Sequence, residues 1–380
     1  MTPNDPLEVA PFAGPVDAVV RPPGSKSLTN RALVVAALAD GQSVLRGALS
    51  ADDSEAMVRG LRVLGAGVAE EDHVRRLTVD GVHGRPPVEG ALLDARLSGT
   101  TARFLAPVAC LARATVVLDG AAPLRRRPMS DLLEALRDLG AGVEPLGDPG
   151  CLPVQLTSDG LEGGSVEVAG NVSSQFLSSL MLAGPCMRNG LTVALRTDLV
   201  SRPYVEMTAA VMRDFGATVE VGPRTVTVAP GGYRPVAGFD VEPDASAASY
   251  WFALAAVTGG RVRVEGLGSS TTQGDLRFVD LLAQMGASVE VTATSTEVRG
   301  TGSLRGVDVD MSDCSDTAQT LAVVAPFADG PTTVRGIGFI RGKETDRVAA
   351  VVAELRRAGI AADEGDDGFT VHPGRPTAAT

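Results

Sequence analysis

Hydrophobic and polar positions follow a pattern that returns about every 73 residues along the chain. Each unit contains a strand, a helix rich in small apolar residues, a second strand, an amphipathic helix and one or two further strands. The small-residue helices are almost entirely apolar after their first turn, which predicts that they are buried. The amphipathic helices, such as residues 131–139 and 348–358, have the apolar spacing of a helix that keeps one face in water.

The glycines expected to end the amphipathic helices recur with about the same spacing. A glycine after an amphipathic stretch is expected to take the left-handed conformation that stops a helix. These glycines are separated by 75, 76, 70 and 73 residues, and they are Gly65, Gly140, Gly216, Gly286 and Gly359.

Hydroxyl residues at the starts of the small-residue helices repeat in step, at spacings of 73, 74, 72 and 71 residues: Ser27, Thr100, Ser174, Ser246 and Thr317. Short strands lie between these features at residues 43–45, 115–118, 191–195, 261–264 and 332–334. Two independent features with one period predict five compact α/β units. The same spacing places the start of a sixth unit at about residue 387.

Composition narrows the classes of function. The formal net charge of −12 makes a general nucleic-acid or anionic-membrane surface a poor interpretation. The longest apolar runs, such as residues 32–39, are far shorter than the roughly 18 residues of a membrane span. The N-terminus lacks a basic region followed by an apolar one, which indicates a cytoplasmic protein.

Cysteine and histidine exclude further chemistry. The four cysteines are scattered without a CxxC pair, which favours reduced thiols over disulfides or a zinc site. His73, His83 and His372 lack metal-ligand spacing, and we expect none of them to be catalytic. A Ser-His-Asp hydrolase is therefore disfavoured.

Residues able to do chemistry gather at helix starts. A helix N-terminus offers unpaired N–H groups and a partial positive charge, which suit phosphate and carboxylate groups. A cation there gains nothing from the helix dipole unless an anion lies beside it. A single Ser or Thr at such a place is more often an N-cap, but five units with polar or cationic groups at equivalent ends favour an anion site. The residues are Lys26, Ser27, Asp53, Gly99, Thr100, Arg127, Ser173, Ser174, Gln175, Ser201, Arg202, Asp316, Thr317, Lys343, Glu344 and Arg347.

Six segments carry a family resemblance over almost the whole chain. They are PGSKSLTNR at residues 23–31, SGTTAR at 98–103, RP at 127–128, VSSQF at 172–176, DLVSRPY at 198–204 and KETDR at 343–347. In this order they are similar to the 5-enolpyruvylshikimate-3-phosphate synthase family of enolpyruvyl transferases.

The resemblance implies an α/β fold of two domains, each built from three copies of a βαβαββ-like unit, with the site in the cleft between them. Residues 22–239 would form one domain with three repeats. Residues 1–21 plus 240–380 would form the second domain, with two visible repeats and the sixth incomplete. A monomer is expected.

The resemblance also implies the reaction. Phosphoenolpyruvate would donate its carboxyvinyl group to the 5-hydroxyl of shikimate 3-phosphate, and phosphate would leave after addition and elimination, without a metal or organic cofactor. This is a step of the shikimate pathway, toward chorismate and the aromatic amino acids, and the target of glyphosate. Because both substrates are polyanions, the site should be locally basic, and closure of the two domains should exclude water.

Site residues follow from the matching motifs. Asp316 would accept the proton of the 5-hydroxyl, with an N-cap as its structural alternative. Glu344 and Lys26 would donate and remove the methyl proton of the donor, and Asp53 would orient Lys26. Gly99 would leave room for the donor. The residues implied for shikimate 3-phosphate are Lys26, Ser27, Arg31, Ser173, Ser174, Gln175, Ser201, Asp316 and Lys343. Those implied for phosphoenolpyruvate are Lys26, Gly99, Arg127, Gln175 and Arg347.

Departures from the family pattern leave two alternatives. The family continues with an Asp-His-Arg segment and a later Lys that bind phosphoenolpyruvate, and nothing after Gly374 supplies them. The chain could therefore be a C-terminally truncated, inactive form that binds shikimate 3-phosphate. A UDP-N-acetylglucosamine carboxyvinyltransferase is disfavoured, because residues 118–128 lack its usual Cys and Ser27 stands where it usually has Asn. Leu97 and Phe339 replace an Asn and a polar contact that are common in the family.

Overall fold

The computed structural model describes residues 14–71, 75–171 and 173–377. The α-helices in this part are α1 Lys26–Leu38, α2 Asp52–Val63, α3 Gly99–Ala109, α4 Ala122–Arg125, α5 Ser130–Asp138, α6 Ser174–Ala183, α7 Arg202–Asp214, α8 Ala245–Thr258, α9 Phe278–Met285, α10 Ala318–Val324 and α11 Arg347–Arg357. None of these helices, within the ranges described, combines the length and the apolar character that crossing a membrane requires.

The strands are β1 Asp17–Val20, β2 Gln42–Arg46, β3 Gly67–Glu71, β4 Arg76–Asp80, β5 Gly90–Asp94, β6 Arg113–Asp119, β7 Gly142–Pro145, β8 Val154–Asp159, β9 Gly164–Val168, β10 Leu191–Leu195, β11 Val219–Val221, β12 Thr225–Val228, β13 Phe239–Asp240, β14 Arg261–Glu265, β15 Ser288–Val291, β16 Ser295–Arg299, β17 Asp308–Asp310, β18 Thr332–Arg335, β19 Ala362–Gly365 and β20 Gly368–Val371.

Five four-stranded sheets share one internal order within the described residues. In each sheet the first strand is parallel to the second. The third strand is antiparallel to the second, and the fourth is antiparallel to the third. The orders are β13-β2-β4-β3, β5-β6-β8-β7, β9-β10-β12-β11, β1-β14-β16-β15 and β17-β18-β20-β19. Each strand predicted between the glycines is the second strand of a sheet. The predicted mixed α/β fold is confirmed, whereas the number of repeats stays a prediction.

Two of the sheets receive their first strand from a distant part of the chain. Strand β1, near the N-terminus, pairs in parallel with β14, and β13 pairs in parallel with β2. The two crossing segments lie side by side, because Ser25 N–H donates to the carbonyl of Glu242 (2.8 Å) and Asp244 N–H donates to the carbonyl of Pro23 (2.9 Å). The chain therefore passes twice through the same junction.

The buried apolar side chains form two cores. One consists of residues between Leu28 and Val241, and the other joins Val16 to residues between Ala245 and Val371. These cores favour the predicted domain boundaries, which stay a prediction. Helices α1, α3 and α6 are buried as expected. Helices α8 and α10 are less covered, since Tyr250 and Val323 are 65% and 61% exposed.

The five predicted helix-stopping glycines all take a left-handed conformation, with φ between 79° and 110°. After each glycine, the next residue donates its N–H to the carbonyl five positions earlier, at 2.9 to 3.0 Å. This is the Schellman pattern that satisfies the last carbonyls of a helix. The predicted helix ends are therefore confirmed, and the outer strand of a sheet begins within a few residues of each of these glycines.

Candidate functional site

A cavity of about 370 Å³ lies where the N-termini of α1, α3 and α6 face the segments before α10 and α11. Twelve of the thirteen predicted site residues line it, and Ser173 does not. The lining residues are Lys26, Ser27, Arg31, Asp53, Leu97, Gly99, Thr100, Phe104, Pro123, Leu124, Arg127, Ser174, Gln175, Ser201, Tyr204, Ser315, Asp316, Lys343, Glu344 and Arg347.

The helix starts present hydroxyls to this cavity because other residues cap the helices. Ser25, Ser98 and Ser173 precede α1, α3 and α6, and their side-chain oxygens accept first-turn N–H groups at 3.5, 3.1 and 3.3 Å. The N-cap alternative is therefore wrong for the lining hydroxyls, which remain available to a ligand: Ser27, Thr100 and Ser174. Ser173, which was predicted to hold phosphate, is itself a cap.

The lining is locally basic although the chain carries a net charge of −12. Five cations and three carboxylates line the cavity. Lys26 Nζ lies 3.4 Å from Asp53 Oδ2, so the carboxylate predicted to orient this lysine is within reach of it. Excess positive charge in a partly enclosed space is the condition that a polyanionic ligand needs.

Arg31 is buried, at 2% exposure, and has no carboxylate partner among the described residues. Its Nε donates to Thr208 Oγ1 (2.7 Å), and its Nη atoms donate to the carbonyls of Ser27 and Tyr204 (3.0 and 3.3 Å) and to Ser178 Oγ (3.4 Å). Burial lowers the pKa of Arg31 to about 10, so the guanidinium keeps its charge at neutral pH. A buried cation held only by neutral acceptors favours an anion beside it.

Arg127 lies against the backbone at the start of α3. A Cβ on residue 99 would come within 2.6 Å of Arg127 Nη1 and 2.9 Å of its Cζ. The room that Gly99 provides is thus occupied by the guanidinium predicted to bind the donor. Arg127 Nε has no hydrogen-bond partner in the described structure, and burial is the main cause that lowers the pKa of this side chain. The group is poised for an incoming anion.

Asp316 lies at the centre of an ion-pair network. Its Oδ1 accepts from Arg347 Nη1 (2.7 Å) and its Oδ2 accepts from Tyr204 Oη (2.8 Å). Arg347 also donates two hydrogen bonds to Glu344, from Nε to Oε1 (2.7 Å) and from Nη2 to Oε2 (3.1 Å). Burial alone would raise the pKa of Asp316, but Lys343 and Arg347 outweigh it and hold that pKa well below the usual range.

The predicted N-cap alternative for Asp316 is wrong. Helix α10 is preceded by a 3₁₀ turn, Ser315–Thr317, and its N-cap residue, Thr317, makes no side-chain capping bond. The Asp316 carboxylate is turned toward the cavity instead. Lys343 lies close to it, and burial lowers the pKa of this amine, while Asp316 partly offsets the effect.

Gln175 is fixed between two neighbours. Its Oε1 accepts from Arg103 Nη1 (2.5 Å) and its Nε2 donates to Thr100 Oγ1 (3.3 Å). Arg103 is buried, and burial, followed by the nearby Arg127, lowers its pKa to about 9. Ser201, just before α7, takes a left-handed backbone conformation (φ 53°). Such strain in a non-glycine residue is concentrated at functional sites.

Sequence reasoning left several contributors without a role. Tyr204 and Arg103 stand in quoted motifs, but their contacts join residues far apart in the chain. Another signal was present in the composition: the chain contains only two lysines, Lys26 and Lys343. Both line the cavity. No other position of the sequence carries a lysine, so the residue type is confined to this site.

The histidines among the described residues lie outside the cavity lining. His83 pairs with Asp40, and His372 Nε2 lies 2.7 Å from Asp363 Oδ2. His73 lies outside the described residues. Leu97 lines the cavity rim, whereas Phe339 does not line it.

Comparisons with known proteins agree with one another. The family model for EPSP synthase (3-phosphoshikimate 1-carboxyvinyltransferase) matches residues 12–380. A 3-phosphoshikimate 1-carboxyvinyltransferase of Nostoc punctiforme is 43% identical over 376 residues, which cover 99% of this chain and 88% of the relative. Another, of Methanosphaerula palustris, is 43% identical over 365 residues, covering 95% of this chain and 85% of the relative.

Solved structures share the fold. An EPSP synthase from Acinetobacter baumannii has a TM-score of 0.79 at 24% identity, covering 96% of this chain and 83% of that one. The enolpyruvyl transferase NikO from Streptomyces tendae has a TM-score of 0.71 at 21% identity, covering 96% of this chain and 84% of that one. From the family match and the identity over nearly its whole length, the chain belongs to the EPSP synthase (3-phosphoshikimate 1-carboxyvinyltransferase) family.

Proposed function

We propose that this chain transfers the carboxyvinyl group of phosphoenolpyruvate to the 5-hydroxyl of shikimate 3-phosphate and releases phosphate. Family membership supports the reaction. The observation that carries the site is the convergence, in one cavity, of three helix N-termini, five cations and three carboxylates. Both substrates carry phosphate and carboxylate groups, and this combination is suited to them.

The acceptor would lie between the helix starts and Lys343. The hydroxyls of Ser27, Ser174 and Ser201 would donate to its 3-phosphate, and the buried charge of Arg31 would favour the dianion. Ser173 caps α6 as a hydrogen-bond acceptor, and its O–H would still be able to donate to the 3-phosphate. Gln175, held by Arg103, would lie against the ring and the donor.

The donor would lie between Arg127, Arg347 and Lys26. Arginine presents a planar fork that fits carboxylate and phosphate groups, so two arginines and a lysine can neutralise phosphoenolpyruvate. Arg127 offers its unpartnered Nε–H. Arg347 would retain Asp316 and Glu344 while its other donors turn to the ligand.

Proton movements complete the reaction. As the 5-oxygen attacks C2 of the donor, the hydroxyl proton goes to Asp316, which its basic neighbours keep ionised. The donor methylene takes a proton from Glu344 or Lys26 and becomes the methyl group of a tetrahedral intermediate. Glu344 or Lys26, left without that proton, then takes a proton from the methyl group, and the double bond re-forms as the C–O bond to phosphate breaks. No other reactant is required.

Finer properties belong to the same proposal. The two cores favour two domains, 22–239 and 1–21 plus 240–380, that would close over the substrates and exclude water. We also propose a monomer, a cytoplasmic location and inhibition by glyphosate in the donor pocket next to Gly99.

A binding titration and a phosphate-release assay test the function together. Wild-type chain should bind shikimate 3-phosphate and release phosphate when phosphoenolpyruvate is added. Binding without release would establish the inactive, binding-only alternative. Absence of binding, or turnover only with UDP-N-acetylglucosamine, would reject the assignment.

Lys26→Met should lower kcat by at least about 100-fold while the thermal midpoint stays unchanged, because a charge at the reacting atoms is lost without loss of core packing. Arg375→Met is the matched control, since it removes a charge from an exposed position outside the cavity. Near-normal activity of the Lys26 variant would refute this map of the site.

A further inference from the structure

We propose that Asp275 is a positioning residue for the reaction: it carries a proton and donates it to Tyr204 Oη, which directs the Tyr204 proton onto Asp316. This inference deepens the proposed function and rests on the role of Asp316 given there. Asp275 lies in the 3₁₀ turn Gly274–Arg277, outside the cavity lining.

One hydroxyl faces two carboxyl groups at this place. Tyr204 Oη lies 2.8 Å from Asp316 Oδ2 and 3.1 Å from Asp275 Oδ2. A phenol has a single hydrogen to donate, so it cannot serve two carboxylates at once. Both carboxyl groups can be hydrogen-bonded to this oxygen only if one of them carries a proton and is the donor.

The contacts of the two carboxyl groups decide which one is neutral. Asp316 accepts a charged donor from Arg347 at 2.7 Å and lies near Lys343, so the negative charge belongs there. Asp275 is 4% exposed and has no cationic partner among the described residues. Its Oδ2 contacts both Ser246 Oγ and Tyr204 Oη, while its Oδ1 has no hydrogen-bond partner in the described part of the chain. A buried carboxylate oxygen without a donor is far more costly than the carbonyl of a neutral acid.

The charges around Asp275 agree with this assignment. Burial first, and then the charges of Asp316 and Asp244, raise the pKa of Asp275 to about 7; hydrogen bonds that Ser246 and Tyr204 would donate to its ionised form act in the opposite direction. The titratable and charged groups that face it from its own turn and from the neighbouring elements are Tyr204, Asp244, Arg277, Asp313, Cys314 and Asp316. The cation among them, Arg277, is paired with Asp313 at 2.6 Å.

The arrangement has a consequence for turnover. While Asp275 is neutral, the Tyr204 hydroxyl donates its hydrogen to Asp316. This hydrogen bond fixes the position of the Asp316 carboxylate and keeps it ionised, so that it can accept the substrate proton. Once Asp275 ionises, the two carboxylates compete for one hydrogen. The proton on Asp275 is not consumed in the reaction, because the substrate proton goes to Asp316.

Three variants test the inference through the pH dependence of kcat. Asp275→Asn keeps a donor toward Tyr204 and cannot ionise, so its kcat near pH 6 should lie within about threefold of wild type. Toward about pH 9, kcat of the wild type should fall relative to that of the Asn variant by about tenfold, since a hydrogen bond to a charged group is lost. Asp275→Ala should lower kcat about tenfold already near pH 6, with KM nearly unchanged.

Ser246→Ala tests the same inference independently, through the pH at which kcat falls. The Ser246 hydroxyl stabilises the ionised form of Asp275, so its removal should move the alkaline fall of kcat to higher pH. Parallel pH profiles for wild type and Asp275→Asn, or an unchanged kcat for Asp275→Ala, would overturn the inference.

A stability measurement decides the protonation of Asp275 even if the wild type proves inactive. Its folded pKa is raised above the unfolded value, so the stabilisation is present at low pH and is lost as pH rises through the folded pKa. The thermal midpoint of the wild type should therefore fall relative to that of Asp275→Asn between about pH 4 and about pH 7, and the difference should level off above about pH 8. A constant difference between the two midpoints would show that Asp275 carries no proton in the folded protein.

Discussion

The arginines of the cavity differ in how their charges are compensated, although a sequence writes them alike. Within the residues that the structure describes, Arg347 is held by two carboxylates, Arg31 is held by neutral oxygens, and Arg127 keeps one donor without a partner. The unmatched charges of Arg31 and Arg127 are the ones with most to gain from an anion. The position of Arg127 depends on the absence of a side chain at Gly99. A substitution of Gly99 therefore tests the donor-binding role of Arg127 directly.

Gly99→Ala should raise KM for phosphoenolpyruvate about tenfold while KM for shikimate 3-phosphate changes little. The added Cβ would lie 2.6 Å from Arg127 Nη1, so the flexible guanidinium must move. The fold should be retained, because alanine is favourable in a helix. Steady-state kinetics and the thermal midpoint check both statements.

Gly330→Ala serves as the control, because a Cβ there meets nothing within 4 Å. Unchanged donor KM in Gly99→Ala would show that Arg127 does not bind the donor from this position.

At the scale of elements, two local devices set up the site. Serine caps hold the first turns of α1, α3 and α6, and left-handed glycines end the amphipathic helices. The caps leave the next hydroxyls free, and the glycines turn the chain into the outer strand of each sheet. Asp244 joins two elements, since Oδ1 accepts from Ala247 N–H (2.8 Å) and Oδ2 accepts from Lys26 N–H (3.0 Å). The start of α1 is thereby tied to the start of α8 across the junction of the two cores.

Gly140→Ala should destabilise the fold by about 1 kcal/mol, because an L-residue is strained in the left-handed region. Gly140 has φ 98°, and a Cβ there would meet nothing within 4 Å, so strain is separated from packing. Urea or thermal midpoints measure the change. Gly330→Ala again provides the comparison, and equal midpoints for the two variants would contradict the capping role.

At the scale of the whole molecule, charge is divided between surface and site. The chain has 46 acidic and 34 basic residues, yet its cavity lining has more cations than carboxylates. This division keeps the surface acidic while the interior attracts polyanions. Both lysines line the cavity, so chemical modification of lysine side chains affects that site alone.

An amine-selective acylating reagent should therefore abolish turnover in proportion to labelling of Lys26 and Lys343. Saturation with shikimate 3-phosphate and phosphoenolpyruvate should protect both lysines but leave the N-terminal amine reactive, which provides an internal control. Peptide mass spectrometry reads the labelled positions. Full activity with both lysines acylated would contradict the proposed site.

Local signals let the sequence predict the alternating elements, the five helix-ending glycines and thirteen of the twenty residues that line the cavity. These features depend on neighbours within a few positions, such as the capping oxygen of Ser98 or the left-handed turn at Gly65. The assignment of roles came from matching motifs, because no local pattern distinguishes a phosphate-binding serine from a cap. Ser173 illustrates this limit, since its oxygen caps α6 while its role in phosphate binding stays a prediction.

Helix ends, buried helices and an acidic chain with few lysines were determined by the sequence itself. Only the tertiary structure decided that Arg127 fills the space beside Gly99, that β1 and β13 exchange sheets, and that Tyr204 lies between Asp275 and Asp316. Tyr204 and Asp316 are separated by 112 residues. Contacts over such distances are selected by the packing of whole elements around the two cores, and no short stretch of sequence encodes that packing.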